Sequence, residues 1–410
     1  MMGHTAKNLW TGAVAVLAFS AIFVQAAGAA DWPIYRGPSH NGFTEETDWK
    51  GTWGAEGPKV LWRASIGIGF SSITVADGRV YAMGNSGRQT GAKDTVYCFD
   101  AATGKPIWTH SYDCELLPKY YKGGTLSTPT VDGDVVYALS KAGDLFCLKA
   151  ATGEVVWSKQ VNKDLGYEFP TWHFSSSPMV CGDLLVLNLG DAGLAMDKRN
   201  GQVVWTNGKG VCGYSTPVPS EFAGQKAVCI AVSDSVMGVR LTDGKVLWKA
   251  PFINQHKVNA ADPIVAGNEV FASSGYGRGC IKIKLDADKA GVVLDSKVMR
   301  NHMNCSMLWK GHIYGFDESE LKCISFADFS QKWTNRGMGK GALIMSADGR
   351  MIIMSDKGEL VIAKADPAGF EATARAQILP SELCWTAPTL ANGKVYARNA
   401  AGDMVCVDVQ

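Results

Sequence analysis

A chain of 410 residues with 40 basic and 39 acidic side chains is close to neutral, which excludes the basic footprint that nucleic-acid binding requires. Its 46% hydrophobic and 19% charged residues exclude a disordered polymer and suffice for one large core or two domains.

Residues 1–30 read as a secretory signal peptide. The cation Lys7 precedes an apolar run from about Ala13 to Val24, then the small residues Ala26 to Ala30 and the polar Asp31. The apolar run is shorter than the roughly 20 residues of a membrane-spanning helix. No cysteine precedes Cys98, so no lipid-attachment cysteine stands at the cleavage point. The expectation is an exported protein, periplasmic or extracellular, with no membrane span. Residues 31–410 hold no Pro/Ser-rich linker and no charge run, so they are read as one domain.

Four segments of that domain align without gaps: Asp100-Ala-Ala-Thr-Gly-Lys-Pro-Ile-Trp108, Lys149-Ala-Ala-Thr-Gly-Glu-Val-Val-Trp157, Asp197-Lys-Arg-Asn-Gly-Gln-Val-Val-Trp205 and Arg240-Leu-Thr-Asp-Gly-Lys-Val-Leu-Trp248. Related tryptophans stand at Trp62 and Trp333, giving intervals of 46, 49, 48, 43 and 85 residues. The doubled last interval places a degenerate repeat near Leu294, and the same spacing places another near Arg375. Each unit reads as four short strands rich in Val, Leu, Tyr and Phe, separated by glycine-bearing turns. A period near 45 with four strands is the signature of a propeller blade.

Turns between first and second strands occur at Asp77-Gly78, Asp132-Gly133, Gly182-Asp183, Ala223-Gly224, Gly267-Asn268, Lys310-Gly311, Asp348-Gly349 and Asn392-Gly393. The fold expected is therefore all-β, an eight-bladed propeller of four-stranded antiparallel blades, with seven blades as the alternative count. The last unit ends after a third strand, whereas Val60 to Ile66 is an unmatched fourth strand. A bare third strand would be an open edge, so the N-terminal strand is expected to pair with it and close the ring.

The Ala-x-Thr-Gly-x-x-x-Trp pattern resembles the repeat of the PQQ-like propeller superfamily, which holds quinoprotein dehydrogenases and the BamB-type outer-membrane assembly factor. The leader Trp32-Pro-Ile-Tyr-Arg-Gly-Pro38 resembles the opening of exported PQQ-like repeat proteins. The resemblance implies a fold, and a fold alone does not assign an activity. The repeat tryptophans are read as inter-blade packing residues.

Of eleven cysteines, Cys98, Cys147, Cys323 and Cys406 recur at one third-strand position, where a small buried apolar residue is expected. The remaining seven leave room for one or two bridges. There is no adjacent Cys-Cys pair, no Cys-x-x-Cys-His, no Gly-x-Ser-x-Gly and no His-Glu-x-x-His, so no catalytic residue is assigned.

The connections from second to third strand and from blade to blade are the long ones. They carry Tyr120, Tyr121, Tyr167, Phe169 and Trp172, and long loops on a rigid scaffold are where binding residues sit. First strands line the channel and align through Pro129, Pro178, Pro217, Pro263 and Pro388. Four residues earlier the column reads Gly69, Thr125, Phe174, Gly213, Asn259, His302, Lys340 and Cys384. Together with neighbours this places Trp172, His173, Asn259, Asp262, His302, Asn304, Lys340 and Trp385 at the channel mouth as the candidate ligand site. His173 and His302 are not read as metal ligands. The reading is an exported, non-catalytic binding or scaffold propeller, taking a protein or small-molecule ligand at the long-loop face. The alternative is a PQQ- and calcium-dependent dehydrogenase of an alcohol or sugar. In it Lys340 would face the reduced quinone, Trp385 would stack on it, and Asn259, Asp262 and Asn304 would offer oxygens to calcium.

Overall fold

The structure, a computed structural model, describes residues 1, 30–119, 121–286 and 289–410. The signal-peptide expectation falls almost wholly outside the described residues, as does Tyr120. Within them the chain forms eight sheets, each with a four-stranded antiparallel meander, which settles the blade count at eight. Blades one to seven span 74–113, 130–160, 179–206, 218–251, 264–296, 307–335 and 342–377. Blade eight is built from Thr389–Ala391, Lys394–Arg398 and Asp403–Asp408 and is completed by Val60–Ser65. Leu294 and Arg375 lie in the outer strands of blades five and seven, where the spacing put the degenerate repeats. No helix among the described residues is long and apolar enough to cross a membrane.

Several of the turns adopt the geometry that their residues permit. Asp77 and Gly78, Ala223 and Gly224, and Asn392 and Gly393 all have positive φ, the mirror-image turn that matches strand twist. Second and third strands are buried almost throughout, as in Arg350–Met354 and Glu359–Lys364. They lie mid-sheet with a neighbouring blade on each face. Outer strands such as Ala372–Gln377 alternate half-buried with exposed, as a sheet edge facing solvent must.

The repeat tryptophans hold consecutive blades together. Nε1 of Trp62, Trp108, Trp157, Trp205 and Trp333 donates to the carbonyl of Ala101, Ala150, Lys198, Leu241 and Asp366 respectively, always in the next blade. The Thr-Gly of the motif explains its own conservation within the repeat: a Cβ on Gly104, Gly153 or Gly244 would lie 2.5–2.7 Å from the preceding blade's indole. In blade five, which lacks the tryptophan, Lys282 Nζ reaches Phe326 and Ala327 carbonyls of blade six instead.

The recurring cysteine serves the same packing. Tyr81, Cys98 and Trp108 lie side by side across blade one, and the same row recurs as Tyr137-Cys147-Trp157, Tyr314-Cys323-Trp333 and Tyr396-Cys406-Trp62. A small residue in the middle lets the flanking rings approach to about 6 Å. All eleven cysteines are free thiols, so the bridges for which the sequence left room are not formed.

At the seam, Val60–Ser65 runs antiparallel to Asp403–Asp408 with Trp62 opposite Cys406. The fully buried Arg398 of blade eight donates to the carbonyls of Gly67 and Met83 in and beside blade one. Deleting residues 31–67 bares the edge of Asp403–Asp408 and removes half of this joint. Calorimetry on the truncated protein is expected to show no cooperative transition; a melt at the wild-type temperature would mean that the ring closes without them.

Candidate functional site

Residues 32–46 run across one end of the axial channel, the end where first-to-second-strand turns emerge. Trp32 exchanges backbone hydrogen bonds of 2.8 and 2.9 Å with Val75 of blade one, and Val131 N–H of blade two donates to Pro33 O. Phe43–Thr44 adds a parallel strand to the inner edge of blade seven. The Glu46 carboxylate accepts the N–H groups of Asn392 and Gly393 of blade eight, both at 2.7 Å. Gly37 at φ +75 allows the turn, since a Cβ there would sit 2.9 Å from the Trp32 ring. The leader is thus a plug made of the chain itself.

Above the plug, first strands are stitched blade to blade by side chains one residue before the proline column. Ser72 N–H donates to Thr128 Oγ1, Thr128 N–H to Ser177 Oγ, Ser177 N–H to Thr216 Oγ1, Thr216 N–H to Asp262 Oδ1 and Asp262 N–H to Cys305 Sγ. Blades one to four carry a hydroxyl here; blades five and six replace it with Asp262 and Cys305 where the plug touches them, and blades seven and eight with the apolar Leu343 and Ala387. Arg36 lies 3.6 Å from Asp262 with both side chains at most 4% exposed, and Tyr35 Oη is 3.8 Å from Cys305 Sγ. Burial pushes the Asp262 carboxyl up to about 6, even though Arg36 and the Thr216 N–H favour its charged form.

The result is a blind cup of about 320 Å³, floored by Tyr35 and open toward the long connections. Of the eight expected residues, Trp172, Asp262, His302, Asn304, Lys340 and Trp385 line it. The other two do not. His173 stands beside Phe169, and Asn259 turns back to donate to the carbonyls of Val232 and Phe252. Among the loop aromatics, Tyr121 and Trp172 line the cup, whereas Tyr167 is buried against Thr206 and Phe169 packs on Phe174.

One wall carries a cation. Lys340 Nζ lies 2.7 Å from His302 Nδ1 and 5.9 Å from the centre of the Trp385 ring. An ammonium has no lone pair, so His302 accepts and is neutral. Burial, and then the charge of Lys340, hold its imidazole below the usual range against the opposing pull of Glu318. Aromatic pairs stand on two sides: Phe70 stacks on Trp385 at 5.6 Å and Trp172 on Tyr276 at 6.4 Å. The sequence reading missed Tyr35, Phe70, Tyr214, Tyr276 and the hydroxyl column, all of which line the cup. The column was within reach, three positions along the same proline alignment.

The donor set does not make a calcium site. Asp262 is the one carboxylate lining the cup, and its oxygens face Thr216 N–H and Arg36. Asn259 points elsewhere, and Asn304, whose Nδ2 donates to Gly341 O, offers only its Oδ1. One amide oxygen and one carboxylate already paired with Arg36 fall well short of the roughly six to eight oxygens that calcium takes.

Two predictions test the plug. Arg36→Met leaves a buried carboxylate without its cation and is expected to cost about 3–5 kcal/mol; adding Asp262→Thr, which restores the repeat's hydroxyl, should recover most of it in denaturant unfolding. Equal destabilisation by single and double variants would contradict the pairing. His40 is buried and next to Arg36, and its pKa falls from 6.5 to about 4, chiefly by burial. The unfolded chain therefore takes up the proton first as pH drops. Wild type should lose about 3 kcal/mol relative to His40→Gln between pH 6.5 and pH 4 and no more below; parallel pH profiles would show His40 to be solvated.

A family model described as outer membrane protein assembly factor BamB matches residues 92–335, more than half of the chain. Among solved structures, BamB from Moraxella catarrhalis superposes with a TM-score of 0.58 at 14% identity, over 85% of this chain and 98% of that one. Quinohemoprotein alcohol dehydrogenase from Comamonas testosteroni gives 0.67 at 13% identity, over 93% and 80%. A computationally designed protein, Ika8, gives 0.61 at 12% identity, over 86% and 100%. At such identities the likeness is one of fold. No curated protein sequence matches the chain.

Proposed function

Given that the chain belongs to the PQQ-like propeller family, we propose that it is an exported binding protein that takes a small ligand in its blind central cup, entering from the long-loop face. The observation that carries this reading is the plug. A channel sealed at one end by buried, paired side chains is a concave site with one entrance, walled by aromatics and set with a few fixed polar groups, the usual make-up of a ligand pocket. A scaffold that used only its outer surface would need neither the sealed floor nor Lys340 against Trp385. Export rests on the signal-peptide reading of residues 1–30.

The dehydrogenase reading is the weaker one, because the cup's one carboxylate among the described residues is matched by Arg36 instead of standing ready for calcium. PQQ itself therefore belongs in the test as a ligand, with and without the metal.

Tryptophan fluorescence and calorimetry on the purified mature protein, with glucose, glucuronate, benzoate and PQQ as probes, should reveal at least one saturable ligand. Trp385→Ala should weaken it by tenfold or more, about 1.4 kcal/mol, and calcium should leave the titration unchanged. Calcium-dependent binding of PQQ with dye reduction by an alcohol or sugar would establish the dehydrogenase instead. Silence across the panel would count against the cup as a binding site.

A further inference from the structure

The cup's chemistry, taken on the reading that it binds a ligand, narrows the class of that ligand. We infer that it is an acidic sugar, a pyranose ring bearing one carboxylate, whose faces lie against the aromatic walls and whose carboxylate sits on Lys340.

Three features of the cup converge on this class. The first is the placement of the rings. Phe70 and Trp385 belong to the connections entering blades one and eight, whereas Trp172 and Tyr276 come from the connection entering blade three and from blade five. In an eight-bladed ring these pairs are roughly half a turn apart, so a ring-shaped ligand between them meets an aromatic face on each side. The C–H faces of a sugar are the apolar part of an otherwise hydrophilic molecule, and they gain from such contact by area burial.

The second feature is the hydroxyl column. Oγ of Thr128, Ser177 and Thr216 each accepts an N–H from the preceding blade, which fixes the oxygen, and their own O–H groups have no acceptor among the described residues. Each lines the cup with a donor still to be used and a lone pair to spare. A flat aromatic acid offers acceptors only at its carboxylate. It would strand these hydroxyls against its ring, where a buried donor left unsatisfied disfavours binding. A molecule with hydroxyls around its rim answers them one for one.

The third is charge. Lys340 Nζ forms no ion pair among the described residues; its one hydrogen-bond partner there is the neutral His302, while the backbone N–H of Lys340 donates to Asp356. Of the other charged groups, Asp262 in the lining is matched by Arg36, while Glu318 stands outside the lining, 3.4 Å from the neutral His302, and takes the Tyr276 N–H. Among the residues lining the cup, Lys340 is thus the one cation without a carboxylate, and a single carboxylate is its complement. At about 320 Å³ the cavity is at the small end of ligand sites, which suits one ring, either a free sugar acid or the end of an acidic polysaccharide.

Titration of the mature protein with glucuronate, galacturonate, digalacturonate, glucose and benzoate, followed by tryptophan fluorescence, tests this. At least one uronate should bind ten or more times tighter than glucose. Lys340→Met should erase that preference while leaving the melting temperature and glucose binding in place, and Lys340→Arg should keep it. Digalacturonate binding much tighter than either monomer would identify a polysaccharide end, the reverse a free sugar acid, and both support the class. Benzoate binding without the uronates would overturn the sugar while keeping the cup. Equal binding of glucose and uronate would overturn the role of Lys340, and no binding by any probe would remove the cup itself.

Discussion

Eight sheets set in a circle leave one seam where the last blade must be completed and one hole along the axis, and this chain closes both with residues 32–65. Val60–Ser65 supplies the outer strand of blade eight, and the leader before it crosses the channel and ties blades one, two, five, six, seven and eight to a common plug. A single stretch of chain thus does two jobs that no repeat can do, because a repeat makes every blade alike. Without it the last blade keeps an open edge and the axis is a through-channel.

Between those fixed points the ring is held by one contact used many times. An indole N–H reaches the next blade's carbonyl, and the rings of Trp62, Trp108, Trp157 and Trp205 lie on that blade's turn glycine. Each such hydrogen bond contributes only about 1 kcal/mol net, and the buried ring contributes more. What matters for the site is that the contact recurs at five of the eight joints, so inner strands keep a similar spacing and their side chains line up around the axis. The hydroxyl ring is the inner counterpart of the tryptophan ring. Of its four departures, Asp262 and Cys305 fall where Arg36 and Tyr35 arrive, and Leu343 and Ala387 are apolar.

What could be read from the sequence follows from this division. The blade count, the two degenerate blades at Leu294 and Arg375, the packing role of Cys98 and its equivalents, and the pairing of Trp62 with Cys406 all rest on periodicity, which a sequence displays directly. The course of Trp32 to Glu46 has no period to betray it, and so Arg36 under Asp262 was invisible although both residues were in plain view. The candidate site fell between these cases. His302 and Lys340 share a column with Asn259, yet Asn259 is short enough to turn back and bond the Val232 and Phe252 carbonyls, whereas the neighbouring Lys340 reaches into the cup. Side-chain length and the local carbonyls decide that, and the alignment contains neither.

Amide hydrogen exchange along the leader is the most direct test that the ring seals its own channel. Trp32 N–H and the inner-strand amides of Val75, Val131 and Met345 that bond leader carbonyls should exchange as slowly as the mid-sheet amides of Arg350–Met354, opening only with global unfolding. Exchange of these amides at the rate of an unstructured tail, with the blades still protected, would mean that the leader lies outside the channel and that the cup has no floor.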